Sequence, residues 1–502
     1  MLRLSAASLF VLGLSAGDAA ADLSADDVWQ DWQTLLTDLG YTVRGAPERV
    51  GNRLIIPDLG LAQTLPDAGG LVNVRLGRIA LQERGDGTVA VIYPETMPMA
   101  MAMMPEDGEA VTATLTMRHD GLEIIASGSP ERLLYEYTAD DLTIELGQMT
   151  IDGKPVDAVK GVLRLAAVAG TSEGVAEDGA RLLKQEMSAG SVGYSFAFDD
   201  PQSDASVDYE GEAESLDYDG RLRLPDGHDI DDLSAAIRAG LRIENRLIFG
   251  PGESRFRSTE DGVAARGNSR SDATGIEMTL SDAGLVLGLH SDAVAARMEG
   301  GGLPPLAYEV ERAVGRLTMP VAKGDAVQGF GLTLDVRGVT LSENVWAMLD
   351  PGATLPRDPA NLTVDLSGRG KLFVDLFDEA AMAAFEAGDS TAFVPERLVL
   401  DTLLLEFAGA RLTGAGAVDI KPDADAQTEL PLPEGAVDLR LEGGNGLLDQ
   451  LVKIGLLPKD QAMTVRMMAA MFAEAVEGED TLTSRVEIRK DGTVSVNGQR
   501  MR

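Results

Sequence analysis

The residues able to do chemistry in this chain are few, and their types narrow the options quickly. Met97-Pro98-Met99-Ala100-Met101-Ala102-Met103-Met104 places thioethers at every second position, so Met97, Met99, Met101 and Met103 share one face of a strand. Thioethers are soft ligands that suit Cu(I). The same spacing suits flexible apolar side chains filling an irregular core or lining an apolar groove, and no His or Cys stands near to favour the metal. The three histidines, His119, His228 and His290, have no partner at ligand spacing. With no cysteine in 502 residues, disulfides, thiolate metal sites and Cys nucleophiles are excluded.

The remaining candidates weaken in the same way. Asp423-Ala424-Asp425 has two acidic positions of a calcium loop without its Gly or terminal Glu. Gly443-Gly444-Asn445-Gly446 offers backbone N–H groups ahead of a helix, but in so acidic a chain it reads as a helix entry turn, not an anion site. Paired carboxylates could hydrolyse glycans, yet 81 acidic residues single out no pair. There is no nucleophile elbow, P-loop, zincin helix or EF-hand loop. The expectation is a protein without catalytic, cofactor or metal residues, and not an enzyme.

Composition limits the partners. Against the 81 acidic residues stand 43 basic ones, for a net charge of −38, which repels nucleic acid and anionic head groups. Arg3, the apolar run 4–14 and Ala19-Ala20-Ala21 read as a signal peptide over 1–21, with an A-x-A site at Ala19 and Ala21. The apolar run is shorter than the about 20 residues of a membrane span. A periplasmic chain starting at Asp22, with no stable membrane span, is expected.

The elements that must position these residues are mostly strands. Ser24 caps a helix with Asp26 and Asp27 in its first turn, an apolar side of Val28, Trp32, Leu35, Leu36 and Leu39, and Gly40 as its stop. From Tyr41 the period changes to 2. Asp86-Gly87, Asp152-Gly153 and Asp491-Gly492 suit two-residue hairpin turns. Leu332-Leu334-Val336, Leu362-Val364-Leu366, Leu403-Leu405-Phe407 and Val437-Leu439-Leu441 repeat one pattern, three alternating apolar positions with Gly two residues on, and 142–147 is a shortened relative. Helices are expected over 229–239, after Ser342, over 377–387 and, less well formed, over 176–187; 268–273 and the acidic run 199–219 read as solvated.

The last block, 441–502, reads as strand, two short helices and a hairpin. Met463, Met467 and Met471 stack at i+4, with Met468 and Phe472 beside them, which implies that this helix packs its methionines on the apolar face of the hairpin. The fold class expected is mainly β: long curved antiparallel sheets or a half-barrel groove, with a few amphipathic helices packed on it. After the signal peptide, the turn-rich run at Gly300-Gly301-Gly302 divides an N-terminal lobe, 22–300, from a C-terminal lobe, 301–502.

Residues 446–463, the Met-rich helix after them, 480–488 and Asn497-Gly498-Gln499-Arg500 resemble the alphaproteobacterial domain-of-unknown-function family twenty-one twenty-five. So do Trp29 with Trp32, 94–98 and 355–359. That family is similar, more distantly, to AsmA-type envelope proteins, whose β-rich bodies present a long apolar groove for lipid. The resemblance implies lipid handling or outer-membrane maintenance, with lipid or an envelope protein as partner, and carries over no functional residue. The alternatives are a structural or partner-binding protein with a closed apolar core and, further off, a carboxylate-based glycan hydrolase. Whether the apolar sheet face is open or filled separates the first two.

Overall fold

A computed structural model describes residues 22–65, 70–105, 108–156, 158–200, 203–227, 232–387, 392–420 and 433–501. The expected signal peptide with Ala19 and Ala21, His228, Asp423 and Asp425 lie outside the described residues. The chain is mainly β, with 32 strands and six helices among the described residues. It divides into two compact units, Met1–Arg266 with Thr279–Ser281, and Gly267–Met278 with Asp282–Arg502. The Gly301-Gly302 pair forms the turn of a hairpin inside the second unit, joining Gly300 to Leu303.

In the first unit eight strands form one lane: β1 (Gly70–Arg75), β2 (Thr96–Met104), β3 (Val111–Asp120), β4 (Arg132–Ile151), β5 (Val159–Glu177), β6 (Ser191–Asp199), β7 (Ser206–Ala213) and β8 (Gly252–Glu260). Each pairs antiparallel with the next. A second lane runs beside it. The strand Glu123–Ser129, the first half of β4, the second half of β5, Ala180–Ala189, Leu216–Pro225 and Arg242–Phe249 pair in that order. Chain segments cross from lane to lane through a seam of interrupted pairing at Gly121, Ala167, Gly190, Ser215 and Gly250. Along β4 the buried positions are the odd ones from Leu133 to Ala139; beyond the seam residues 142–146 are all half-buried, and the apolar ones are the even Leu142, Ile144 and Leu146. Leu142 packs on the same cluster as Leu133 and Tyr135, so the apolar side chains keep to one face of both lanes.

Helix α1 (Ala25–Asp38) fills the second lane. Ser24 caps it and Gly40 ends it at positive φ, as expected, and the Asp27 side chain completes a capping box by accepting from the Ser24 N–H. Val28 and Trp29 pack among Leu54, Ile56, Leu81, Leu133, Tyr135 and Val168. The Trp32 indole N–H donates to the Tyr135 hydroxyl at 3.0 Å, which donates to Asp31 at 3.1 Å, and Asp31 is ion-paired with Arg181. Burial pushes the Tyr135 phenol well above its ordinary range and lowers the Arg181 guanidinium.

The second unit is a meander of β9 (Gly284–Gly300), β10 (Leu303–Met319), β11 (Gln328–Leu341), β12 (Ala360–Leu372), β13 (Phe393–Phe407), β14 (Ala410–Ile420), β15 (Pro433–Glu442) and β16 (Thr481–Ile488). Gly338 interrupts the β10–β11 pairing at φ +68; a Cβ there would meet the Glu311 Cβ at 2.6 Å, so the position requires glycine. Helices sit at the margins. Helix α2 (Leu233–Arg238) belongs to the first unit, and α3 (Glu343–Leu349), α4 (Glu379–Glu386), α5 (Gly444–Lys453) and α6 (Lys459–Phe472) to the second. Leu447, Leu451 and Ile454 of α5 pack with Leu341 on Trp346, Leu355 and Ala408.

Three expectations are corrected. Residues 176–187 are not a helix: the end of β5 and Ala180–Ala189 make a hairpin, because Leu183 and Met187 pair across strands with Gly174 and Gly170. The loop expected at 268–273 is strand on both sides of Asp272; the acidic run 199–219 is largely exposed, as expected, and contains β7 and the start of Leu216–Pro225. Of the three Asp-Gly turns expected, Asp152-Gly153 alone is a two-residue turn with both φ positive; Asp86-Gly87 and Asp491-Gly492 sit in longer loops, while Ala408-Gly409 and Asn497-Gly498 make two-residue turns of the same kind.

Candidate functional site

Side chains alternate across a strand, so register assigns the faces. On β2, Met101 and Met103 stand beside Val74 and Val72 of β1 and beside Ala113 and Val111 of β3. The same face continues through Leu115, Leu146, Ile144 and Leu163 to Tyr194, then Phe196, Tyr209 and Phe256, which are directly opposite one another on β6, β7 and β8. Along the described strands β1 to β8 the one Asp, Glu, Lys or Arg that alternation puts on this face is Glu260, at the very end of β8. With a strand spacing of about 4.8 Å, eight strands make a lane of about 34 Å.

The second unit repeats the arrangement. One row runs Leu287, Leu317, Leu332, Leu366, Leu400, Gly416, Val437, Val486; the next runs Leu289, Gly315, Leu334, Val364, Leu403, Gly414, Leu439, Ser484. A third runs Val336, Leu362, Leu405, Leu412, Leu441, Leu482. The repeat in the sequence is therefore a set of cross-strand rows, each apolar triplet opposite the next or one strand removed. Of its terminal glycines, Gly338, Gly409 and Gly443 take positive φ, while Gly368 lies beneath the Phe330 ring, whose Cζ a Cβ would approach to 2.3 Å. These rows also carry no charged residue.

Both lanes are open to solvent. Phe196 is 46% exposed and Leu332 45%, and Leu163, Tyr209, Leu287, Leu317, Leu334 and Leu405 are exposed as well. A contiguous apolar surface of this extent is what interaction and ligand grooves show and what single exposed residues do not. The opposite face is polar and internally paired: Arg118 with Glu145 at 2.6 Å, Arg485 with Asp438 at 2.7 Å, and Asp335 accepting from Thr363 at 2.8 Å. Burial works against the Asp335 carboxylate, but its bonds to Arg337 and Thr363 hold it below the usual range. Inside the first lane the Tyr194 and Tyr209 rings stack at 5.7 Å, and burial, with the Tyr209 bond second, pushes the Tyr194 phenol to about 12. His119, at the seam opposite Leu142, has both ring nitrogens buried without a hydrogen-bond partner. In the second unit the third row ends in a pocket of about 210 Å³ lined by Trp346, Arg357, Leu362, Leu405 and Phe407, with the Arg357 guanidinium 5.4 Å above the Trp346 ring.

The expected site residues divide. Met97, Met99, Met101 and Met103 do share one face, but Met97 is buried, Met99 half-buried, and Met101 and Met103 lie exposed in the lane. The packing expected of Met463, Met467, Met468, Met471 and Phe472 is overturned: all five are exposed, Met467 to 65%. Helix α6 docks through its opposite side, where Ala462 is buried and Arg466 bonds to Asn445 and Asp449. The expected hairpin is present, with Val486 opposite Val496 and Ile488 opposite Val494. The aromatic row was missed although its alternation is visible in Tyr194-Ser195-Phe196-Ala197-Phe198, because the acidic residues around Val207 and Tyr209 mask the strand that completes it. Among the described residues no three His, Asp or Glu side chains converge on a metal position. Comparison with family models, with curated proteins and with solved structures finds no match for this chain.

Proposed function

We propose that the chain is a non-enzymatic periplasmic protein that carries amphiphiles, laying their acyl chains along the apolar lanes. The observation that carries this reading is the set of exposed apolar rows that cross eight consecutive strands in each unit, none of which carries a charged side chain. A ligand there gains by removing apolar surface from water, about 25 cal/mol per Å² on both sides, and needs no polar group to pair with. A lane of about 34 Å exceeds the thickness of one leaflet, about half of the ~30 Å hydrocarbon core, so whole acyl chains fit along it. The resemblance of the C-terminal block to proteins related to the AsmA type supports the same reading. Neither lane carries a carboxylate pair, so carriage is preferred to hydrolysis.

Native purification followed by lipid mass spectrometry tests it. Lipid should co-purify with the wild type and drop at least fivefold in Phe196→Glu and Leu332→Glu, both at solvent-facing positions and so expected to keep the wild-type melting temperature within a few degrees. Wild-type protein free of lipid and unable to take up a fluorescent fatty acid would end the proposal.

A further inference from the structure

Helix α6 displays an apolar arc and buries almost nothing on it. Met463 is 64% exposed, and Met467, Met468, Met471, Phe472 and the preceding Leu456 are exposed with it. The display is held in place from behind: Arg466 donates to the Asn445 carbonyl at 3.1 Å and to Asp449 at 2.6 Å, and the Ser484 hydroxyl donates to the Phe472 carbonyl at 2.5 Å. The arc is therefore a fixed surface of a docked helix.

Local charge sets this stretch apart. Residues 443–473 carry three basic residues, Lys453, Lys459 and Arg466, against two acidic ones, Asp449 and Asp460, in a chain of net charge −38. Arg466 is paired with Asp449, which leaves exposed Lys453 and Lys459 flanking the apolar loop tip at Leu456. Glu474 and Glu477 lie beyond the other end of α6, so the lysine end is the one that suits phosphate.

We propose that the α5–α6 hairpin is a membrane-surface docking element whose partner is a zwitterionic phospholipid bilayer, with the α6 arc in the outer acyl region and Lys453 and Lys459 on the lipid phosphates. An amphipathic helix with a cationic margin lies in the interface in this way, and unbranched thioether side chains conform to fluid hydrocarbon. A second copy of the chain fits worse. A helix of fourteen residues is about 21 Å long and about 10 Å wide, a footprint of about 200 Å² against the ~800 Å² per partner of a stable interface, and two bodies of −38 repel. That total charge also sets the choice of lipid, since it opposes approach to an anionic surface until salt shortens the screening length to about 8 Å at 0.15 M. The inference stands on α6 alone, so it holds or fails independently of acyl-chain carriage in the lanes.

Flotation of the full chain with phosphatidylcholine vesicles in 0.15 M salt is the test. The wild type should float; Met467→Asp with Met471→Asp should lose at least tenfold in partition, and Lys453→Glu with Lys459→Glu about fivefold or more. Doping the vesicles with phosphatidylglycerol should weaken binding at low salt and restore it as salt rises. Glu145→Gln, on the polar face of the first unit, should float as the wild type does. Circular dichroism should not change in any of these variants, because the substituted side chains already face water. A wild type that stays at the bottom of the gradient, or an Asp variant that floats equally well, overturns the proposal. So does a concentration-dependent dimer abolished by the same Asp substitutions, which would make a second copy the occupant.

Discussion

Helices α1 and α6 are the same length, fourteen residues each, and both present apolar side chains at helical spacing. They end in opposite environments. In α1, Val28, Trp29 and Leu35 are buried, Trp29 to 5% exposure, and a polar chain from Trp32 through Tyr135 to Asp31 and Arg181 fixes the helix over one lane. In α6 the methionines face water and the helix is held only by its other side. The rigid, shaped residues sit where the sheet is filled, and the adaptable ones sit where nothing covers them. Packing against a fixed neighbour selects Trp and branched aliphatics, whereas Met tolerates an undefined or changing neighbour. The lanes extend the contrast: the part under α1 is core, and the aliphatic and aromatic rows beyond it are surface.

Substitutions should break this comparison in graded fashion. Trp29→Ala removes a large buried side chain and leaves a cavity, so it should cost about 3–5 kcal/mol. The corresponding truncation in α6, Met467→Ala, should stay within about 0.5 kcal/mol. Urea titrations of the two variants measure the difference. Equal losses would mean that the exposed arc is covered in the folded protein.

Asp31→Ala should come next. It strands the Arg181 guanidinium, whose side chain is largely buried and which has no other ion-pair partner among the described residues, at a cost of about 3 kcal/mol. Asp31→Ala with Arg181→Met should recover much of that loss, because removing both charges removes the uncompensated one. A double variant no more stable than the single one would show that the pair supports α1 by geometry and not by charge.

How much of this was legible in the sequence depends on whether local pattern and tertiary environment agree. The Ser24 cap and Gly40 stop of α1 and the alternating triplets 332–336, 362–366 and 403–407 are local patterns whose meaning does not depend on what lies across from them, and each was readable; the Asp-Gly dipeptide is not of that kind, since it makes a two-residue turn at 152–153 and sits in longer loops at 86–87 and 491–492. The triplets even supplied the rows of the second unit, since alternation places their apolar members on one face whatever the register. The hairpin over 176–187 was misread because Leu182, Leu183 and Met187 satisfy helical spacing as well as strand spacing, and only pairing with β5 decides between them. The aromatic row needed three strands to be brought into register, which no local signal states. The direction in which α6 faces was illegible for a deeper reason: an i, i+4 stripe of methionines is the same sequence whether the face is buried or displayed.

The smallest effect tests what holds α6 in its displaying position. Asp480 caps α5 from a distance: its carboxylate accepts from the Gly446 N–H at 2.8 Å and from the Asn445 N–H at 3.2 Å, and Asn445 in turn binds Arg466 of α6. Burial alone would raise this carboxyl, but the Gly446 and Asn445 donors outweigh it and hold it below 3.8. A carboxyl with a lowered folded value contributes fully above 3.8 and ceases to contribute as pH falls through the folded value. Asp480→Ala should therefore cost about 1 kcal/mol at neutral pH, the usual worth of an N-cap, and nothing once the wild-type carboxyl is protonated. Hydrogen exchange at the Gly446 and Leu447 amides should rise in the variant at pH 7, and the difference from the wild type should shrink as pH falls through the folded value of Asp480. Because the cap steadies the base of the hairpin and not the arc, vesicle binding should weaken by no more than the stability lost. A larger loss would make Asp480 part of the docking surface and move the boundary between the held and the displayed side of α6.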